Sequence, residues 1–268
     1  MSGGNQLTLS WQELGRRVLS VAAIRQVDRT AVEQFHMHPL VLMENAALQC
    51  AQWLQRHFTS PRRMTVLCGR GNNGGDGLAI ARHMRLAGWD VRSVVLGPVD
   101  ALSGDALANY RILTARGHAR CLVRDSATGQ SVLPDELSRG ATESRGVDQQ
   151  IATWIAEAEV LVDAMLGTGA SGTPRAPLDQ WIQCANAARG QRVAIDIPTG
   201  LDASTGQTAA IAFRAAHTLT FVALKPGFAA AEARALLGEV HAMPIGIPQE
   251  LVEELLLQSE SSAPGGGS

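Results

Sequence analysis

Between Met64 and Gly246 short apolar runs alternate with longer segments of helical periodicity, and this alternation restricts the architecture more than any other feature. "MTVLC" (64–68), "DVRSVVLG" (90–97), "ARCLV" (119–123), "VLVDA" (160–164), "RVAID" (192–196), "HTLTFVAL" (217–224) and "EVHAMPIG" (239–246) have the length and composition of buried strands. "GLAIARHMRLAG", "LSGDALANYRILTARG", "LDQWIQCANAARG" and "AAAEARALLG" between them place apolar residues at helical spacing. Two further helices are expected upstream: "VAAIRQVDRTAVEQF" after Ser20 as N-cap, and "LVLMENAALQCAQWLQRHF" opened by Pro39. The polar stretch Arg124–Gln150 resists assignment beyond a surface helix.

Apolar strands separated by crossover helices pair in parallel and bury both faces of their sheet. The expected fold class is therefore α/β: a Rossmann-like three-layer sandwich, a mostly parallel sheet with helices on both faces. With 46% hydrophobic and 18% charged residues, the chain can fill such a core. No interior linker or repeat divides it, so one domain over residues 1–258 is expected, with "SESSAPGGGS" (259–268) a disordered tail.

Composition also excludes classes. A net charge of −2 without a basic run argues against nucleic-acid binding. No apolar stretch approaches the ~20 residues of a membrane span, and the N-terminus lacks the pattern of a secretory signal. Cys50, Cys68, Cys121 and Cys184 form no CxxC pair, as free thiols in a reducing cytoplasm would.

In a parallel sheet, ligands bind beyond the carboxyl ends of the strands. The strand-to-loop junctions Gly69–Gly77, Asp163–Thr173 and Asp196–Asp202 then share one edge. The first, "CGRGNNGGDGLAIARHM", contains Gly69-x-Gly71-x-x-Gly74, a dinucleotide pattern of low specificity. The acidic residue that would bind a ribose about twenty residues on is missing, since only Asp100 is near and it follows a proline. Asn72, Asn73 and Asp76 offer more ligand atoms than a pyrophosphate cradle needs, although they also suit a tight turn with Asp76 as helix cap.

At the second junction Asp163 ends a strand before "GTGASGT", whose amides and hydroxyls can wrap a phosphate. A buried carboxylate there needs a cation or a loop amide. At the third, Asp196 ends another strand before Pro198. Two carboxylates on different loops allow one to hold a cation while the other transfers protons; either also serves as a turn cap. Lys225, just past a strand, is expected to be solvated or to cap a helix. Only His36 and His38 lie close together and no HExxH occurs, so no zinc site is expected. No GxSxG supports a hydrolase.

"LMENAA", "GNNGGDGLAIAR", "VDAMLGTG", "AIDIPTGLD" and "TFVALKPGF" resemble, in order and spacing, the motifs of the NAD(P)H-hydrate epimerases, the YjeF N-terminal domain. The resemblance spans about residues 20–250. It implies an isomerase of nicotinamide nucleotide repair that interconverts the R and S forms of hydrated NADH and NADPH (NADHX and NADPHX). It further implies that Asn72, Asn73, Gly74, Gly75 and Asp76, with Gly167, Thr168, Gly169, Ala170, Ser171, Gly172 and Thr173, bind the substrate. Asp196 would contact the reacting end and act as acid and base. Asn73, Asp163 and Thr199 would ligate potassium, K+, as hard oxygen donors. A homodimer paired through the N-terminal helices is implied, as is a separate NAD(P)HX dehydratase as pathway partner, with no nucleic acid or membrane. The chain departs from the family pattern in PTG for PSG, in Ser171 where a basic residue is usual, and in Ala216, beside His217, where an acidic one is usual. The alternatives are an NAD-dependent oxidoreductase and a non-catalytic protein- or RNA-binding scaffold of the same fold.

Overall fold

The structure, a computed structural model, describes residues 13, 16–60, 62–115, 120–125, 131–132, 144–170 and 172–261. Its centre is a sheet of strands β1 (Arg63–Cys68), β2 (Asp90–Gly97), β3 (Arg120–Asp125), β4 (Ser131–Val132), β5 (Val160–Ala164), β6 (Gln191–Ile195), β7 (His217–Phe221) and β8 (Glu239–Met243). They lie in the order β4-β3-β2-β1-β5-β6-β7-β8, with every pairing parallel except β3 with β4. The helices are α1 (Val21–Glu33), α2 (Pro39–His57), α3 (Asn72–Leu86), α4 (Gly104–Thr114), α5 (Ser144–Glu157), α6 (Leu178–Ala187), α7 (Ala231–Leu237) and α8 (Gln249–Ser261). This is the α/β arrangement expected from the alternation of apolar runs and helical segments.

Side-chain alternation sorts the core into two layers. Met64, Val66 and Cys68 of β1 face α2, α3 and α4, packing on Leu54, Ile80 and Leu113 among others. Leu67 of the same strand faces α5 and α6, joining Trp154, Ile155, Trp181 and Ile182. Thr65, on that second face, donates its hydroxyl to the Trp154 carbonyl at 2.8 Å, which satisfies a buried polar group. α1 and α8 pack together at the β7–β8 side of the molecule, through Val27, Ala31, Leu251 and Val252.

Local signals behave as their chemistry requires. Ser20 caps α1, accepting from the Ala23 amide at 3.1 Å, and Pro39 occupies the first turn of α2. α5 begins inside the 124–150 stretch, where Asp148, Gln149 and Gln150 are exposed as a surface helix requires, and beyond it buries Ile151, Trp154 and Ile155 against the sheet. One expectation changes. α8 continues through Ser261, three residues into the segment read as a disordered tail; residues 262–268 lie outside the described residues.

The chain leaves β1 for β2, β3 and β4 on one side, then crosses to β5 on the other. β1 and β5 therefore flank the topological switch point, where their loops diverge and leave a crevice.

Candidate active site

The switch point requires close backbone approach, and glycine supplies it. The Gly69 amide donates to the Ala164 carbonyl at 3.0 Å. A Cβ on Gly69 would lie 1.8 Å from the Met165 carbonyl oxygen, and one on Gly74 would lie 2.0 Å from that of Gly69. The loop after β1 is correspondingly short. α3 starts at Asn72, five residues before the helical run read from the sequence, so "NNGGDG" forms the first turns of a helix rather than a loop. Packing overrides the poor helix propensity of Gly74, Gly75 and Gly77, because Cβ atoms there would strike Gly69, Met43 and Ala164. Asp76 consequently sits within the helix and is not its cap. The N-cap position, Gly71, makes no side-chain cap bond, which leaves the first amides of α3 available to an anion.

A cleft of about 740 Å³ opens over this helix start, within the range of small-molecule sites. Asn72, Asn73 and Asp76 line it from α3, Gly167, Thr168, Gly169 and Ala170 from the loop after β5, and Asp196 from the end of β6. Gly74 and Gly75 are buried beneath it. Gly172 and Thr173 line a neighbouring pocket of about 160 Å³, on the side of Pro198 and Gly200. Ser171 lies outside the described residues.

Asp196 is the most constrained of these residues. Its φ of +63° places a non-glycine residue in the left-handed region, and the Ile197 amide bonds back to the Ile195 carbonyl at 2.8 Å across it. This tight turn aims the carboxylate across the sheet edge. Oδ2 accepts from the Thr168 amide at 3.2 Å, and Oδ1 meets Lys225 Nζ at 2.8 Å. Lys225 is 1% exposed, contrary to its expected solvation, because three acceptors meet its three protons: Asp196 Oδ1, Thr220 Oγ1 and the Phe221 carbonyl.

Asp163 and Thr199 lie beneath the cleft floor. The Thr199 amide and hydroxyl donate to the two Asp163 carboxylate oxygens at 2.8 Å each, and the Met165 amide adds a third bond at 3.1 Å. Burial nonetheless pushes the Asp163 carboxyl up to about 6, against the lowering effect of those donors. Asn73, also buried, has a side-chain oxygen and nitrogen that both lack hydrogen-bond partners. A Cβ on Gly167 would fall 3.2 Å from Asn73 Cβ and 3.3 Å from Asp196 Oδ2, so the loop after β5 threads between them.

Sequence reasoning missed the contribution of α1. Arg25, Asp28 and Arg29 line the cleft from this helix; their i, i+3, i+4 spacing was the available signal. Burial, and then the nearby Asp196 charge, raise the Asp28 carboxyl to about 6, while Lys225 opposes the shift. Asp76 is likewise raised, by burial first and then by Asp196, Asp28 and Asp105. His217, by contrast, opens β7 at the opposite edge of the sheet and does not enter the cleft.

The raised Asp28 carboxyl has a measurable consequence. Native protein takes up this proton between about pH 4 and 6, so the group's stabilising contribution is complete below about pH 4 and lost as pH rises through 6. Asp28→Asn is therefore expected to match wild type in urea unfolding near pH 4 and to exceed it near pH 7.5, by at most about 3 kcal/mol. A variant no more stable than wild type at the higher pH contradicts this placement.

Residues 39–227 match the family profile described as YjeF-related protein N-terminus. An NAD(P)H-hydrate epimerase of Rhodopirellula baltica is 38% identical over 231 residues, covering 86% of this chain and 85% of its own. The NAD(P)H-hydrate epimerase of Pirellula staleyi is 40% identical over 240 residues, 90% of this chain and 97% of its own. A bifunctional NAD(P)H-hydrate repair enzyme of Moorella thermoacetica is 33% identical over 88% of this chain but only 41% of its own length. Among solved structures, the yeast protein ynu0 superposes with a TM-score of 0.67 at 18% identity, covering 94% of this chain and 96% of its own, a likeness of fold.

Proposed function

The chain belongs to the YjeF-related N-terminal family, and from that premise we propose that it is an isomerase interconverting the R and S epimers of NADHX and NADPHX. The observation that carries this reading is the buried Asp196–Lys225 pair, presented by a strained turn to a cleft of nucleotide size at the switch point.

The substrate bears a hydroxyl at C6 of the reduced nicotinamide ring, next to the ring nitrogen. That nitrogen expels the hydroxyl as water once a proton reaches the leaving oxygen, and a cationic iminium remains. Water added to either face restores one epimer or the other. Asp196 passes the proton to the leaving oxygen and takes it back from incoming water, with Lys225 as the proton reservoir 2.8 Å from its Oδ1. The cleft suits the cation, since Asp28 and Asp105 line it beside Asp196. The substrate phosphates fit the open helix start at Asn72–Gly75, the amides of Gly167–Ala170, and Arg25 and Arg29.

Asn73, Asp163 and Thr199 would hold potassium. The buried, unpartnered Asn73 oxygen fits this role, as does the fully buried Asp163 carboxylate, whose acceptor capacity exceeds the bonds it receives. When bound, the ion would neutralise Asp163 and tie the loops after β1, β5 and β6 together. Exchanging potassium for tetramethylammonium is expected to lower both turnover and Tm, and Asp163→Asn to abolish that cation dependence. Equal activity and Tm in the two buffers would overturn the assignment.

We further place the chain as one domain, extended past the expected boundary at 258 to the end of α8 at Ser261, acting in the cytoplasm as a homodimer. Supporting this, Cys50, Cys68, Cys121 and Cys184 are free, and Val18, Phe35 and Val41 expose apolar surface on the N-terminal segments. No helix among the described residues is long and apolar enough to cross a membrane. Sedimentation at a monomer mass would contradict the dimer. We also propose an NAD(P)HX dehydratase as the pathway partner that consumes the S epimer; the similarity to a bifunctional NAD(P)H-hydrate repair enzyme supports a second repair activity acting beside the epimerase.

The test is conversion of a single purified epimer, followed by chromatography in potassium buffer. Rapid approach to the R/S mixture is expected. Conversion at the spontaneous rate by folded protein would overturn the function.

A further inference from the structure

At the edge of the sheet opposite the cleft, a second group of polar side chains converges. In the parallel β7–β8 ladder His217 pairs with Glu239, and His241 lies two residues beyond Glu239. Paired residues and i, i+2 neighbours share one face, here the face covered by α2. The end of α2 adds Trp53 and His57, whose rings stack at 4.4 Å between centroids. His57 in turn packs on His217, also at 4.4 Å.

His217 Nδ1 lies 3.6 Å from one Glu239 carboxylate oxygen, and His241 Nε2 lies 3.6 Å from the other. One ligand atom from each of the three residues can be chosen so that all lie within 4.8 Å of one another. Both imidazole nitrogens are buried and lack a hydrogen-bond partner. Unpartnered buried nitrogen is costly in a finished core and calls for an occupant. In a tetrahedral zinc site with bonds of about 2.0–2.1 Å, neighbouring ligand atoms stand about 3.3 Å apart. The two 3.6 Å separations lie close to that value, and the widest gap of the three-atom set, within 4.8 Å, closes by up to about 1.5 Å on binding, with Glu239, 66% exposed on its side chain, having room to move.

We propose that His217, Glu239 and His241 form a binding site for a divalent transition-metal ion of the zinc class, separate from the catalytic cleft. Two imidazoles with one carboxylate suit such an ion, whereas magnesium and calcium prefer all-oxygen shells. A fourth position stays open to water or to His57. Burial and the neighbouring His57 hold both imidazoles below their usual pKa, so they are neutral and available as ligands at neutral pH. β8 is the edge strand, paired only with β7, and an ion bridging the two fastens it. The site's function is accordingly structural.

The full-length protein, stripped with chelator and dialysed, is titrated with zinc chloride by calorimetry and separately with cobalt(II) by visible absorption. One equivalent of saturable binding is expected, with a cobalt spectrum of nitrogen and oxygen ligation. A Tm rise of about 5–10 °C is expected at a hundredfold excess of ion over Kd. His241→Ala should weaken binding by more than the roughly 10–100-fold lost with an outer-shell partner. Should that variant fail to fold, Glu239→Gln, on an exposed side chain, carries the same prediction. Cys184→Ser, which removes the exposed thiol, should change nothing. Absence of saturable binding overturns the proposal, as does binding untouched by His241→Ala or Glu239→Gln, or abolished by Cys184→Ser.

Discussion

Asp196→Asn is expected to slow epimerisation by roughly 10²–10⁴-fold, the usual range for losing a positioned acid–base group, with affinity for the substrate largely retained. The amide keeps the size of the carboxylate and still accepts a hydrogen bond from Lys225 or Thr168. It cannot carry the proton that must reach the leaving hydroxyl and return from water, and it no longer offsets the charge of the iminium. Binding rests mainly on the start of α3 and the loop after β5, which the substitution leaves in place. Substrate calorimetry beside the rate assay separates the two effects. A variant that binds and turns over like wild type removes Asp196 from the chemistry.

Lys225→Met is expected to cost about 3–5 kcal/mol of stability, the range for breaking a buried ion pair from one side. Methionine fits the volume but leaves the Asp196 carboxylate without its counter-charge. In the Lys225→Met/Asp196→Asn double variant no buried charge is left unmatched, and the stability loss should fall well short of the sum of the single losses. Additive losses would mean that the two groups are not coupled.

Much of this molecule was legible before its structure. Strand and helix positions follow from apolar periodicity, because burial on both faces of a parallel sheet leaves few polar positions in its strands. Placing the three loops on one edge required only that the strands be parallel, and the sheet order bears that out. The start of α3 was not legible. Local propensity argues against helix at "NNGGDG", and only the contacts of its glycines with Gly69, Met43 and Ala164 explain it. Lys225 was misread for a related reason, since a lysine is buried only where tertiary structure gathers acceptors around it. Asp28 joins the cleft from a helix far upstream, and His217 and His241 meet through strand register, so neither grouping has a local spacing to find.

Oxygen exchange during turnover tests the central claim most directly. With a single epimer of NADHX in ¹⁸O-enriched water and potassium buffer, the wild-type protein is predicted to place one ¹⁸O at C6 as it equilibrates the R and S forms, with enzyme-dependent incorporation at least as fast as epimerisation. Epimerisation without incorporation of the label, at a rate above the spontaneous one, would contradict loss and return of water at the Asp196 carboxylate.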